Sequence, residues 1–397
     1  MSPTFLIIYC GLVLSLSAFS IDITLPAFFP MAKDFSASID QVQMTVPVFA
    51  LTFGAGQILF GAASDRFGRK PMVILGLSFF LAGSLLAFMA PSLDVLLAGR
   101  FLQGLGAGCN QVSVRAVLRD RYSGEALGQA MAIAMGIFAF GPVAAPLLGY
   151  GLVELGGWRF VFAGIFIFCI FLMVVTLWRM PETNEALDPL ALKTAHLKSA
   201  LRAVLVHGQS RFFIIYSALV FFVILSFVVN APRFYAQDFD ITGLGFALSF
   251  AIIGLGIVPG QFLNKFLIRR HGILYAARVG AVGVSFFYSL MFVLAFNGLL
   301  GGAGFTALLV GFGAFSIITM TNGASLTIDP HGQIAGFTSS VFGFVTQLSG
   351  AIFSGLTVPM FAGSVVVWSG SLALLTLVMA LFLLYWRQPN PNTEKIT

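Results

Sequence analysis

The chain has 397 residues, of which 58% are hydrophobic and only 9% charged, with a net charge of +6 and a mean hydropathy of +0.98. Ordinary soluble domains carry about 25% charged residues, so water is not the main solvent of this sequence. The three cysteines, Cys10, Cys109 and Cys169, are an odd number inside apolar segments, which leaves no disulfide framework and suggests no metal role.

Apolar runs of about 20 residues recur from one end to the other, the pattern of an all-α polytopic membrane protein whose helices satisfy their own backbone. Polar punctuation predicts twelve transmembrane helices, near 5–28, 43–63, 72–90, 93–115, 128–150, 158–178, 212–231, 244–264, 273–296, 302–322, 335–358 and 364–386. The first run has no Lys or Arg before it and exceeds the length of a signal-peptide core, so it reads as a retained span. The longest polar stretch, from Arg179 to Arg211, separates spans six and seven. The resulting domains are an N-terminal six-helix half, 1–178, a cytoplasmic linker, 179–211, a C-terminal six-helix half, 212–386, and a cytoplasmic tail, 387–397.

With the N-terminus cytoplasmic, nearly all Lys and Arg fall on the cytoplasmic side, leaving Lys33, Arg159 and Arg233 outside and Arg100 within a span. Both termini are then cytoplasmic in a plasma membrane. The basic balance is explained by topology and calls for no nucleic-acid partner.

In chain order, the first chemically informative stretch is SIDITLPAFFP, which sets Asp22 in an apolar surround. An acid within a span costs roughly 2.5–3.5 kcal/mol on insertion scales. Two readings are open: a cavity-facing proton or substrate site, or a carboxylate at the outer interface. Counting from Phe5 places it roughly 25 Å along the helix, in the outer third of the hydrocarbon. Arg100, about eight residues into span four, lies at comparable depth; it either faces Asp22 and joins proton coupling or bonds polar groups of neighbouring helices.

Between spans two and three stands GAASDRFGRK, Gly61 to Lys70, and its counterpart after span eight is GQFLNKFLIRR. The repeat falls at corresponding positions of the two halves, as expected of parallel halves related by an axis along the membrane normal. Gly61 and Gly68 allow tight turns and close helix approach; Asp65 can accept from helix-terminal N–H groups or pair with an arginine; Arg66, Arg69 and Lys70 can meet acids or lipid phosphates. A basic turn that only sets topology is the simpler alternative. Span five carries Gly136, Gly141, Pro142, Pro146 and Gly149, which kink a helix and let another approach.

The Gly61–Lys70 pattern, RFLQGLGAG from Arg100 to Gly108 and GIFAFGPVAAPLLG from Gly136 to Gly149 together resemble the major facilitator superfamily. SIDITLPAFFP, VRAVLRDRY and APLLG are similar to its bicyclomycin and chloramphenicol type of drug:proton antiporter; the second half resembles it mainly in topology. The resemblance implies proton-coupled efflux of small amphipathic drugs from a bacterial inner membrane by a monomer that works among membrane lipids with no cofactor beyond the proton gradient. It also implies that Gly61 to Lys70 form a cytoplasmic gate, that the span-five residues form an antiporter hinge, and that spans 1, 4, 7 and 10 line a cavity. Candidate cavity contacts are Asn110, Gln111, Phe138, Ser226, Asn230, Asn322 and Gln347. The alternative within the same fold is a proton-linked symporter or uniporter of a small neutral metabolite. An enzyme is not expected, since neither H-E-x-x-H nor G-x-S-x-G occurs and the histidines lack metal spacing.

Overall fold

The computed structural model describes residues 2–386 except 190, 362 and 363; the predicted tail, 387–397, lies outside the described residues. The first span is α1 (Pro3–Asp22), a 3₁₀ turn Leu25–Ala27 and α2 (Phe28–Asp34). The second is α3 (Ile39–Gln43) running into α4 (Thr45–Phe67), followed by α5 (Arg69–Phe88) and α6 (Leu93–Arg121). Span five is split into α7 (Gly124–Ala139) and α8 (Gly141–Gly156), and span six is α9 (Arg159–Arg179). A linker helix, α10 (Thr194–Val206), precedes α11 (Gly208–Gln237). Span eight is split into α12 (Gly243–Leu255) and α13 (Ile257–His271); α14 (Ile273–Phe296), α15 (Gly302–Ile328), α16 (Ala335–Phe361) and α17 (Val365–Tyr385) complete the fold.

Among the described residues there is no strand, and eleven spans are long and apolar enough to cross a membrane. The remaining one, α6, has 29 residues but carries an exposed Asp94 near its start and Arg100, Gln103, Asn110 and Gln111, which it buries against neighbouring helices. Several helices run beyond their predicted ends, α6 to Arg121 and α11 from Gly208 to Gln237. Hydropathy sees the hydrocarbon-facing part, whereas the helix continues until its backbone finds other partners.

The breaks have local causes. At the end of α1 the Thr24 N–H turns to the Ile21 carbonyl at 3.3 Å, and Pro26 has no N–H to offer. The Ser20 carbonyl thereby loses its helical donor. In span five the Phe140 N–H bonds the Ile137 carbonyl at 3.2 Å just before Pro142, and in span eight the Gly256 N–H bonds Ile253 at 3.0 Å just before Pro259. These two breaks meet, because a Cβ on Gly254 would stand 3.1 Å from Pro142 and Val143.

The halves also meet along α4 and α16. Gly54 backs onto Gln347, Gly61 onto Ser340, and Gly355 onto Met44 and Pro47, so the contact follows nearly the whole of α4. One end of the bundle holds the Gly61–Lys70 loop and the linker; we call it the basic end. At the opposite end Arg233 pairs with Asp40 across the halves, and the Gln43 amide donates to the Val229 carbonyl at 2.9 Å.

Candidate functional site

Asp22 is the last residue of α1 and is buried, 6% exposed. Among the described residues no hydrogen bond or ion pair reaches its carboxylate. Because the span continues to Asp34, Asp22 stands roughly 5 Å beyond the midpoint of Pro3–Asp34 at 1.5 Å per residue. The helical run ends at Asp34, beyond the predicted span end at 28, so Asp22 lies nearer the middle of its run than a count from Phe5 suggests.

Arg100 reaches the same break without pairing with Asp22. Its Nη1 donates to the Ser20 carbonyl at 3.0 Å, to Ser20 Oγ at 2.7 Å and to Gln103 Oε1 at 2.8 Å, while Nε donates to the Thr45 carbonyl at 3.2 Å. The guanidinium lies 4.5 Å from the centre of the Phe49 ring and is fully buried. The arginine supplies the donor that Ser20 lost when α1 broke. Of the two roles open from sequence, the geometry displays the bonding of neighbouring helices. Gln103 is itself held by its amide donating to Ser84 Oγ at 2.9 Å.

Span five supports this break from behind. A Cβ on Gly149 would collide with the Ile23 carbonyl, and one on Gly141 would stand 3.0 Å from the Ala18 methyl. Pro142 lies at the start of α8 and Pro146 inside it, buried. Gly136 differs: it is exposed, with open space where its Cβ would be.

The Gly61–Lys70 loop is organised around Arg69. Its Nη1 donates to Asp65 at 2.7 Å and to Ser64 Oγ at 3.1 Å, and its Nε donates to Asp120 at 2.9 Å. Gly68 takes φ +98°, a backbone region that favours glycine, and a Cβ there would stand 2.6 Å from Glu182 Oε2. That carboxylate caps α5, accepting from the N–H groups of Arg69 at 2.9 Å and Lys70 at 3.0 Å as well as from Thr183 and Asn184. Desolvation alone would raise its pKa, but the four backbone donors outweigh that and hold it below the usual glutamate value. Thr183 Oγ1 donates to Asp120, and Asn184 Nδ2 and the Asp188 N–H both donate to the Asp65 carbonyl. Arg66 lies over Phe67, and Lys70 donates to the Leu177 carbonyl.

Asp120, Glu182 and the linker's grip on the loop were missed from sequence. Asp120 sits in VRAVLRDRY, an acid among arginines beside a basic loop, and that local charge pattern could have pointed to it.

The seven predicted cavity contacts are scattered. Asn110 is turned into α5 against Gly76. Ser226 Oγ accepts from Trp368 Nε1 at 3.0 Å, and Asn230 Nδ2 donates to the Ser226 carbonyl. Asn322 Nδ2 donates to Asn264 at 2.7 Å. Gln347 lies at the α4–α16 contact, Gln111 is buried, and Phe138 packs half-buried on the main core. The glycines of RFLQGLGAG serve close packing: Gly104 and Gly108 face the Phe49 and Phe53 carbonyls of α4, and Gly99 and Gly106 face α5.

The family model described as Major Facilitator Superfamily matches residues 10–354. The chain belongs to the Major Facilitator Superfamily. It is 28% identical over 354 residues to an uncharacterized MFS-type transporter, YdgK, of Bacillus subtilis, covering 87% of this chain and 86% of the relative. It is 25% identical over 360 residues to the bicyclomycin resistance protein homolog of Haemophilus influenzae, covering 89% of each. A 231-residue stretch, 57% of each chain, is 32% identical to the multidrug resistance protein MdtL of Shigella dysenteriae. Among solved structures, a D-xylose-proton symporter superposes with a TM-score of 0.80 over 98% of each chain at 16% identity, a likeness of fold.

As a superfamily member the chain is a multi-pass membrane transporter, not an enzyme, and its two six-helix halves carry the features above unequally. In the first half the Asp65 position is ionic and clasped by the linker. In the second, Asn264 pairs with Asn322 instead.

Proposed function

We propose that this transporter exports small amphipathic drugs, of the bicyclomycin or chloramphenicol kind, in exchange for protons by alternating access across a bacterial inner membrane, with both termini cytoplasmic. The observation that carries the reading is Asp22: a buried carboxyl near the middle of its helical run, at a helix break, with no bonded partner among the described residues. A group so placed exchanges a proton with whichever side wets the break, and a span broken there can move its two parts separately. Arg100 braces the break through Ser20, leaving Asp22 itself to change charge. The names of the drug-resistance relatives support the direction of transport.

In this cycle, drug and proton compete for the site. Protonation of Asp22 from outside favours drug release there, and deprotonation inside permits reloading. The test is substrate-induced proton release by purified protein, with chloramphenicol as first probe, alongside transport in vesicles under an imposed pH gradient. Asp22→Asn is expected to abolish proton release and gradient-driven drug transport. Undiminished coupled transport in that variant would overturn the assignment, and accumulation of a neutral metabolite in the direction of proton flow would favour the symporter reading.

A further inference from the structure

The two halves answer one electrostatic question differently. In the first, Arg69 is neutralised inside the protein by Asp65 and Asp120. At the corresponding place in the second half, α13 carries Lys265, Arg269 and Arg270, all exposed, and among the described residues none makes a hydrogen bond or ion pair through its side chain. Asn264 stands where the first half has Asp65, and the sequence has no Asp or Glu from Ile241 through Ile328, which includes α12, α14 and α15, the helices packed on α13. The next acid, Asp329, follows α15 and makes no ion pair with the three cations among the described residues.

These cations are not scattered. With Phe262 and Phe266, 73% and 54% exposed, they form one open surface patch. The positions 262, 265, 266, 269 and 270 follow helical spacing, so they form one stripe on α13. From Phe262 to Arg270 it covers about 12 Å along the axis, apolar at one end and cationic at the other. That is the profile of a phospholipid: acyl chain, then phosphate.

We propose that this stripe is a binding site for an anionic phospholipid, its phosphodiester held by Arg269 and Arg270 with Lys265 and its upper acyl chain laid over Phe262 and Phe266. Guanidinium groups suit the phosphate oxygens through paired, charge-assisted hydrogen bonds. Lys265 adds a point charge from one turn deeper, its stem lying along the phenyl rings.

The test is lipid titration of the purified full-length protein, followed by native mass spectrometry, with phosphatidylglycerol against phosphatidylcholine. The wild type is expected to retain one phosphatidylglycerol in preference to phosphatidylcholine. Replacing Lys265, Arg269 and Arg270 together by Gln is expected to weaken that binding on the order of 100-fold, from the usual contribution of each cation near an anionic surface. A charge-matched control with Lys198, Arg202 and Arg211 replaced by Gln should bind as the wild type does. If the triple variant fails to insert, Arg269→Gln with Arg270→Gln carries the same test at roughly 30-fold. Equal weakening by the control, no preference over phosphatidylcholine, or displacement of the lipid by millimolar inorganic phosphate would each overturn the proposal.

Discussion

Arg100 and Asp22 sit at one helix break, yet opposite outcomes are expected when each is removed. Arg100→Met withdraws the donor from the Ser20 carbonyl and from Gln103 Oε1, both in fully buried surroundings. Each orphaned acceptor costs about 1–3 kcal/mol, giving a loss of about 4 kcal/mol, in the upper tail for single substitutions. The unfolding midpoint should fall by about 5 °C. Asp22→Asn removes no bond seen among the described residues, so its midpoint should match the wild type while proton coupling is lost. Cys10, Cys109 and Cys169 are all free and buried, so a thiol-reactive fluorescent dye reports unfolding without added labels. If Arg100→Met unfolds with the wild type, the arginine is not a brace. If Asp22→Asn falls as far as Arg100→Met, the carboxylate is structural and the proposed proton site is wrong.

Three further outcomes follow from span five and the Gly61–Lys70 loop. Gly149→Ala should impair transport and stability because its Cβ meets the Ile23 carbonyl, whereas Gly136→Ala, with open space around it, should be tolerated and could gain up to about 1 kcal/mol of helix propensity; paired thermal and transport assays check the contrast. Gly68→Ala forces a side chain into a glycine-favouring backbone region at a cost of about 1–3 kcal/mol and pushes against Glu182, so hydrogen exchange at the Arg69 and Lys70 amides should accelerate. The folded pKa of Glu182 is lowered from 4.5, so its clasp is fully present above about that pH and weakens as pH falls through the lower folded value; the same two amides should then lose protection in acid, and Glu182→Gln should lose the pH dependence.

The helical membrane architecture was legible because apolar length is written directly in the sequence, and span nine, 273–296, begins and ends where α14 does. Helix breaks were less legible: Pro26, Pro142 and Pro259 mark them, but the breaks become informative only when their carbonyls are followed to new partners. Arg100 shows the limit. Its rarity in a span flagged it, and its pairing with Ser20 in place of Asp22 depends on a two-residue offset that spacing across separate helices does not fix. Asn110, Ser226 and Asn322 are likewise polar residues in apolar helices, and which face each occupies is set by helix rotation, which spacing does not fix. Glu182 was hidden for another reason: it lies in the linker, which was read as a connector when it is also the cap of α5.

The ionic cluster around Arg69 is built wholly from the first half and its linker, so it cannot by itself hold the halves together. What closes the basic end is α4 on α16, with Gly61 against Ser340, and the approach of Arg119 to Gly336 at the start of α16. A cation facing a helix N-terminus is not attracted to it. Closure there therefore rests on packing, while the charges set the shape of the loop that packs. Salt separates the two: raising it from about 0.1 to 1 M shortens the screening length from about 10 to 3 Å. Spin labels at Arg66, on α4, and Arg211, in the first turn of α11, should then report the same distance distribution at both concentrations. A shift to longer distances in high salt would place ionic contacts across the interface and refute packing as the latch.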